Sequence, residues 1–103
     1  MIFQFRIQEY GCPERIVDIV TDTEIRIGTA PQSDLLFDDA RVASRHALIV
    51  VKNQNDAVLI DLGSGWGTIL MGKKIQQQNL RSGDIITLCS GTRVIVKFSK
   101  DEF

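Results

Sequence analysis

The sequence is short of the residues that most site chemistry needs. It has one histidine, His46, and two cysteines, Cys12 and Cys89. The two thiols stand too far apart in the chain for the ligand spacings of a zinc site, and a single histidine does not complete one. A chain of 103 residues is also large enough to hold a core without a disulfide. Both cysteines are expected as reduced thiols, and neither a metal nor a cofactor is expected. Excess charge is missing too: 12 Lys and Arg stand against 13 Asp and Glu, for a net charge of -1. Without a basic surplus there is little to drive binding to a phosphate backbone, so nucleic acid is not an expected partner. Long hydrophobic runs are absent, since stretches such as Ala47 to Val51 fall far below the roughly 20 residues of a membrane helix. No membrane insertion is expected. The first residues carry no basic n-region, apolar core or small-residue cleavage site of a secretory signal, which makes the cytoplasm the default setting.

Helical periodicity is lacking as well: no window of a dozen or so residues repeats its apolar positions at helical spacing. Internal repeats are absent, which sets aside propellers and solenoids. What the chain has instead is a succession of short apolar runs with turn signals between them, recurring roughly every eight to twelve residues. Phe3, Phe5 and Ile7 alternate with Gln4, Arg6 and Gln8, as a half-buried strand requires. Gly11-Cys12-Pro13 is turn chemistry, and Arg15 to Val20 resumes β-branched character to complete a first hairpin. Glu24 to Gly28 is a third strand, Ala30 to Asp34 a loop around Pro31, and Leu35-Leu36-Phe37 a brief apolar strand.

Ala47 to Val51 reads as a strand buried on both faces, with a turn from Lys52 to Asp56 and a partner strand from Ala57 to Asp61. Gly67 to Met71 follows, then a tight turn at Gly72-Lys73 before Ile75. Gln76-Gln77-Gln78 is only a short polar run, and Arg81-Ser82-Gly83-Asp84 is a further turn. Ile85 to Leu88 and Arg93 to Phe98 are the last strands. The pattern predicts one all-β domain over residues 1–103, a sandwich of two twisted, mainly antiparallel sheets.

Two polar loops stand out, Arg41-Val42-Ala43-Ser44-Arg45-His46 and Leu62-Gly63-Ser64-Gly65-Trp66-Gly67-Thr68. Dense donors and glycines beside apolar strands are typical of recognition loops on a rigid sheet edge. An enzyme would need His46 paired with a nucleophile and an orienting acid, for which Ser44 and Asp61 are the candidates. Ser44 is too close in sequence for convergent triad geometry, so the histidine is read as a brace for its loop. Gly63, Gly65 and Gly67 have the wrong spacing for a dinucleotide loop and no helix after them to receive a pyrophosphate, so they are read as turn residues. Trp66 is either folded down on its own loop or an anchor for a partner. Arg41 and Arg45 lie near Asp38 and Asp39 in sequence, where a solvated charge cluster competes with a role as guanidinium forks for an acidic or phosphorylated partner.

The blocks Ile27-Gly28, then Val42 with His46-Ala47, then Asp61-Leu62-Gly63-Ser64 with Gly67-Thr68, then Gly83-Asp84 before an apolar strand, come in an order that resembles a forkhead-associated (FHA) domain. The resemblance runs from the third strand to the last. It implies recognition loops clustered at one end of the sandwich and binding of short peptides, most often at a phosphothreonine. Such a ligand brings about -1.5 to -2 charges, so its site needs a cation and several directed donors. The family pattern supplies an arginine after the first glycine, a serine three residues before the histidine and an asparagine before the last Gly-Thr. Here those positions hold Thr29, Ala43 and Trp66, and Gly65 replaces a small hydroxyl residue.

A charge-assisted hydrogen bond contributes roughly 1.5 to 3 kcal/mol, so losing two weakens binding by roughly a hundred- to twenty-thousand-fold. The resemblance therefore implies a protein-binding module that does not require phosphate, with Thr29, Arg41, Ser44, Arg45, Gly65 and Trp66 facing the partner. Gly28, His46, Gly67 and Thr68 are then structural. The alternative is a phosphothreonine-binding signalling adaptor with Ser44, Arg45 and Arg41 as substitute ligands.

Overall fold

The computed structural model describes residues 1–53 and 56–100. Among these residues there is no helix, and so none long and apolar enough to cross a membrane. Among the described residues eleven strands form two sheets. They are β1 (Ile2–Glu9), β2 (Arg15–Val20), β3 (Glu24–Gly28), β4 (Leu35–Leu36), β5 (Ala47–Val51) and β6 (Ala57–Asp61). β7 (Thr68–Leu70), β8 (Lys73–Ile75), β9 (Gln77–Leu80), β10 (Ile85–Cys89) and β11 (Thr92–Ser99) complete the chain. The six-stranded sheet runs β2-β1-β11-β10-β7-β8 and the five-stranded sheet β4-β3-β5-β6-β9. All pairings are antiparallel except β3 with β4, where Ile27 lies opposite Leu35.

Alternation along the strands decides which side chains meet between the sheets. Phe3, Phe5 and Ile7 point inward from β1, Ile86 and Leu88 from β10, and Val94 and Val96 from β11. Ile25 and Ile27 of β3, Ile49 of β5 and Leu59 of β6 face them from the other sheet, all within 1% of full burial. Phe3 stacks on Phe5 with ring centroids 5.8 Å apart and on Phe98 at 5.2 Å. Arg15 ties the two sheet edges together. Its Nη2 donates to the Leu36 carbonyl at 2.7 Å, and its guanidinium carbon lies 5.4 Å from the Phe37 ring centroid.

The sandwich and the first hairpin match the sequence reading, and four local details differ. β5 is not buried on both faces: Ala47 and Ile49 are buried while Leu48, Val50 and Val51 are half-buried, because no layer covers the outer face of the five-stranded sheet. The turn before Ile75 falls at Met71-Gly72, with φ of 49° and 83°, and leaves Lys73 to open β8. The glutamine run contributes to β9, which pairs with β6 from Leu80 opposite Ala57 to Gln77 opposite Ile60. Its side chains stand on a sheet edge that faces water, so no apolar alternation marked it as a strand. Phe37 lies just past β4 and donates its N–H to the Gly28 carbonyl at 3.0 Å. Of the turn expected from Lys52 to Asp56, Gln54 and Asn55 lie outside the described residues.

Replacing Phe5 by alanine empties a fully buried site stacked on Phe3. The expected loss of unfolding free energy is about 3 to 5 kcal/mol. Urea denaturation should show it as a lower midpoint with an unchanged slope.

Candidate functional site

The ends of β3 and β6 and the starts of β5 and β7 all lie at one end of the sandwich, where three loops meet. Their backbones are locked together before any side chain is considered. Past β3, Thr29 N–H donates to the Ala43 carbonyl and Ala30 N–H to the Ser44 carbonyl, both at 3.1 Å, while His46 N–H donates back to the Ile27 carbonyl at 2.9 Å. The β3–β5 pairing thus continues into the loops. This close approach requires glycine at position 28, because a Cβ there would stand 2.1 Å from the Ser44 carbonyl oxygen.

One polar side chain fastens the third loop, 62–67, to its neighbour, and a second closes that loop on itself. The fully buried His46 ring accepts the Ala43 N–H at Nδ1, 3.1 Å away. Its other nitrogen, Nε2, then carries the ring proton and donates to the Gly67 carbonyl at 2.8 Å. Asp61 closes the loop on itself: Oδ1 accepts from Ser64 Oγ at 2.5 Å and from Thr68 Oγ1 at 2.7 Å, and Oδ2 accepts from Gly63 N–H at 3.1 Å. Ser64 Oγ in turn accepts the Gly67 N–H at 3.0 Å. Partial burial pushes the Asp61 carboxyl up, but the hydrogen bonds from Ser64, Thr68 and Gly63 outweigh it and hold the group below its ordinary value. Both imidazole nitrogens are occupied by backbone groups, so the Ser44, His46 and Asp61 relay weighed from the sequence is not assembled.

The two candidate arginines have different surroundings. Arg41 grips Asp39 with Nε at 3.1 Å and Nη2 at 2.8 Å, and its backbone N–H donates to the same carboxylate at 2.9 Å. These side-chain and backbone bonds from Arg41 lower the Asp39 pKa to about 2. The buried Cys89 thiol also approaches Asp39, at 3.7 Å. Arg45 is exposed and has no hydrogen bond or ion pair among the described residues. With Ser44 it lines a groove of about 330 Å³ that also includes Arg26, Ser33, Leu48 and Leu62.

Thr29 is thus paired through its backbone with Ala43 and Ser44 with Ala30, Ser44 and Arg45 share the groove, and Arg41 is turned to Asp39. Gly65 is exposed and Trp66 is 38% exposed, so its ring is neither put away nor free. Three residues at this end escaped the sequence reading. Leu62 and Arg26 line the groove, and Tyr10, 90% exposed, sits in the β1–β2 turn with its N–H on the Gly91 carbonyl at 2.9 Å. Tyr10 had a legible signal, an aromatic inside a turn sequence. Leu62 and Arg26 had none, since only the folded sheet brings them beside Arg45.

A two-sheet antiparallel sandwich with three mutually braced loops at one end is the architecture of a loop-presenting interaction module. The family model for the FHA domain matches residues 25–89, and the chain belongs to the FHA domain family. An FHA domain-containing protein of Arabidopsis thaliana is 30% identical over 91 residues, covering 84% of this chain and 23% of that protein. The chain thus spans under a quarter of that relative's length. The FHA domain of the CT664 protein from Chlamydia trachomatis superposes with a TM-score of 0.83 at 24% identity, over 95% of this chain and 98% of that one. A structure described for phosphothreonine-dependent FHA domain interactions gives 0.77 at 26% identity, over 92% and 96%. FHA domains are protein-interaction modules, and the family binds phosphopeptides.

Gly28→Ala should lower the unfolding free energy by about 1 to 3 kcal/mol, because the loop backbone must retreat from the new methyl group. A methyl resonance at position 28 with wild-type stability would show that the loops part freely. A second expectation concerns pH. Asp39 is lowered from 3.8 to about 2, so its contribution to stability is complete above pH 4 or so and is lost as pH falls through the folded value. The stability difference between wild type and Asp39→Asn should narrow between about pH 4 and 2. A difference that stays constant over that range would remove the Arg41 pairing as its source.

Proposed function

We propose that the loop end binds another protein, or another segment of a larger chain, without requiring phosphate. The surface comprises Thr29, Arg41, Ser44, Arg45, Gly65 and Trp66, with residues 1–103 acting as one FHA-type domain in a cytoplasmic setting. The reading gives no part to nucleic acid, membrane insertion, a cofactor or catalysis. The observation that carries it is the fate of the polar groups at the mouth. The Thr29 and Ala30 amides are spent on the Ala43 and Ser44 carbonyls, the Ala43 amide on His46, and the Arg41 guanidinium on Asp39. Thr29, Ala43 and Trp66 stand where the family pattern places an arginine, a serine and an asparagine. A phosphate arriving there would exchange its water for few directed donors, and desolvation without replacement is costly.

The alternative is a phosphothreonine adaptor, supported by Arg45, which has no partner among the described residues and stands beside Ser44, and by the likeness to the structure described for phosphothreonine-dependent interactions. A peptide array with each threonine sequence in phosphorylated and unmodified form separates the two. The phospho-independent reading expects paired signals within roughly threefold of each other, less than about 1 kcal/mol. Trp66→Ala should lower both members of each pair. A preference above about a hundredfold for the phosphorylated member, reduced by Arg45→Ala, would establish the adaptor instead.

A further inference from the structure

We infer that the groove beside Arg45, on the outer face of the five-stranded sheet, takes an extended peptide segment in which an acidic side chain is followed by an apolar one. This rests on the reading of the loop end as a protein-binding face, and it moves the docking site from the loop tips onto the sheet. The pleat fixes what faces outward. Ile25, Ile27 and Ile49 are buried inside, so Glu24, Arg26, Leu48 and Val50 project from the other face, with Arg26 opposite Leu48 and Glu24 opposite Val50. The β3–β4 loop supplies one wall through Ala30, Gln32 and Ser33, and Ser44, Arg45 and Leu62 supply the loop-end wall.

The charges inside this groove select the occupant. Arg26 is held to Asp34 at 3.4 Å, with the same carboxylate also accepting the Arg26 N–H at 2.8 Å, so that pair is neutral. Arg45 is left as a cation without an acidic partner among the described residues. Farther along β3, Glu24 places a negative group at the opposite end of the same groove. One guanidinium fork matches one carboxylate in bidentate geometry. A doubly charged phosphate would exceed the one cation left without an acidic partner in this groove among the described residues and meet the field of Glu24 more strongly, so the carboxylate is the better complement. Leu48, half-buried, and Leu62, 38% exposed, form the apolar surface next to it. An extended peptide advances about 3.3 Å per residue, and residues two apart face the same way. An acidic residue at Arg45 with an apolar residue two positions along therefore presents both side chains to the groove.

The test uses the whole chain, isotope-labelled, against peptide libraries with Asp or Glu fixed two residues before Leu, and control libraries with Lys fixed in place of the acid. Expected are amide shifts at Arg26, Arg45, Leu48 and Leu62, with the acidic library preferred over the basic one by about tenfold or more. Arg45→Glu should reverse that preference, and Leu48→Ala should weaken the acidic library by about threefold or more. Both positions are at least partly exposed, and the amide spectrum of each variant shows whether it is folded. Absence of shifts on the sheet face overturns the inference. Shifts confined to Thr29, Gly65 and Trp66 overturn it while leaving the loop-tip reading intact. Binding at the groove only when a phosphorylated residue replaces the acid overturns the carboxylate assignment.

Discussion

A single buried imidazole joins two of the three loops that define this end of the molecule. His46 takes the Ala43 N–H on one nitrogen and gives a proton to the Gly67 carbonyl from the other. The Gly67 carbonyl would otherwise be left buried, where an unmade hydrogen bond costs about 1 to 3 kcal/mol, and the Ala43 N–H would be left partly buried. No other residue in the loop could serve both, because the ring alone offers an acceptor and a donor pointing in opposite directions. Around it the same rule is satisfied: among the described residues no buried side-chain nitrogen or oxygen lacks a partner. Asp61 performs the local counterpart within 62–67, and the glycine at 28 lets the β3 end and the segment before β5 approach closely enough for their amides to pair.

That degree of internal satisfaction has a consequence for recognition. A loop end that spends its amides on itself is rigid, which lowers the ordering cost of binding, but it has fewer donors to offer a ligand. What remains available is specific. Arg45 has no hydrogen-bond or ion-pair partner among the described residues, Ser44 stands beside it, and Trp66 and Tyr10 expose aromatic surface at the same end. Arg41 differs from Arg45 only in its neighbour, since Asp39 two residues before it closes a bidentate pair at 2.8 and 3.1 Å. Any partner that used Arg41 would first have to compete with a carboxylate already in place.

How much of this was legible in the chain follows from physical range. Strands that bury one face announce themselves by alternation, and β1 with Phe3, Phe5 and Ile7 is plain in the sequence. β9 was not, because Gln77, Gln78 and Asn79 are exposed and their role is to extend the ladder of β6 rather than to fill the core. The turn at Met71-Gly72 was displaced by a residue because a non-glycine with positive φ leaves no mark in composition. At the site, the bracing role of His46 could be anticipated from its isolation in a polar loop. The groove could not, since Arg26, Leu48 and Leu62 come from three separate stretches and meet Arg45 only through sheet pairing.

Thr29, Ala43 and Trp66, which the sequence reading sets against the family pattern, stand where the side chain is dispensable to the scaffold. At position 43 the backbone does all the bracing, donating its N–H to His46 and accepting from Thr29 with its carbonyl, and neither bond depends on a hydroxyl. At position 29 the structural contribution is again the amide, which any residue but proline provides. Trp66 lies between Gly65 and Gly67, and it is Gly67 whose N–H and carbonyl engage Ser64 and His46. Side chains that would grip an anion can therefore be exchanged at all three positions without disturbing the bonds that hold the loops. Stability constrains the backbone groups and the residues that partner them, whereas binding constrains only the side chains that point outward. The same separation lets Arg45 change charge without strain on the fold, which is what makes its environment the most direct reporter of what this surface is built to meet.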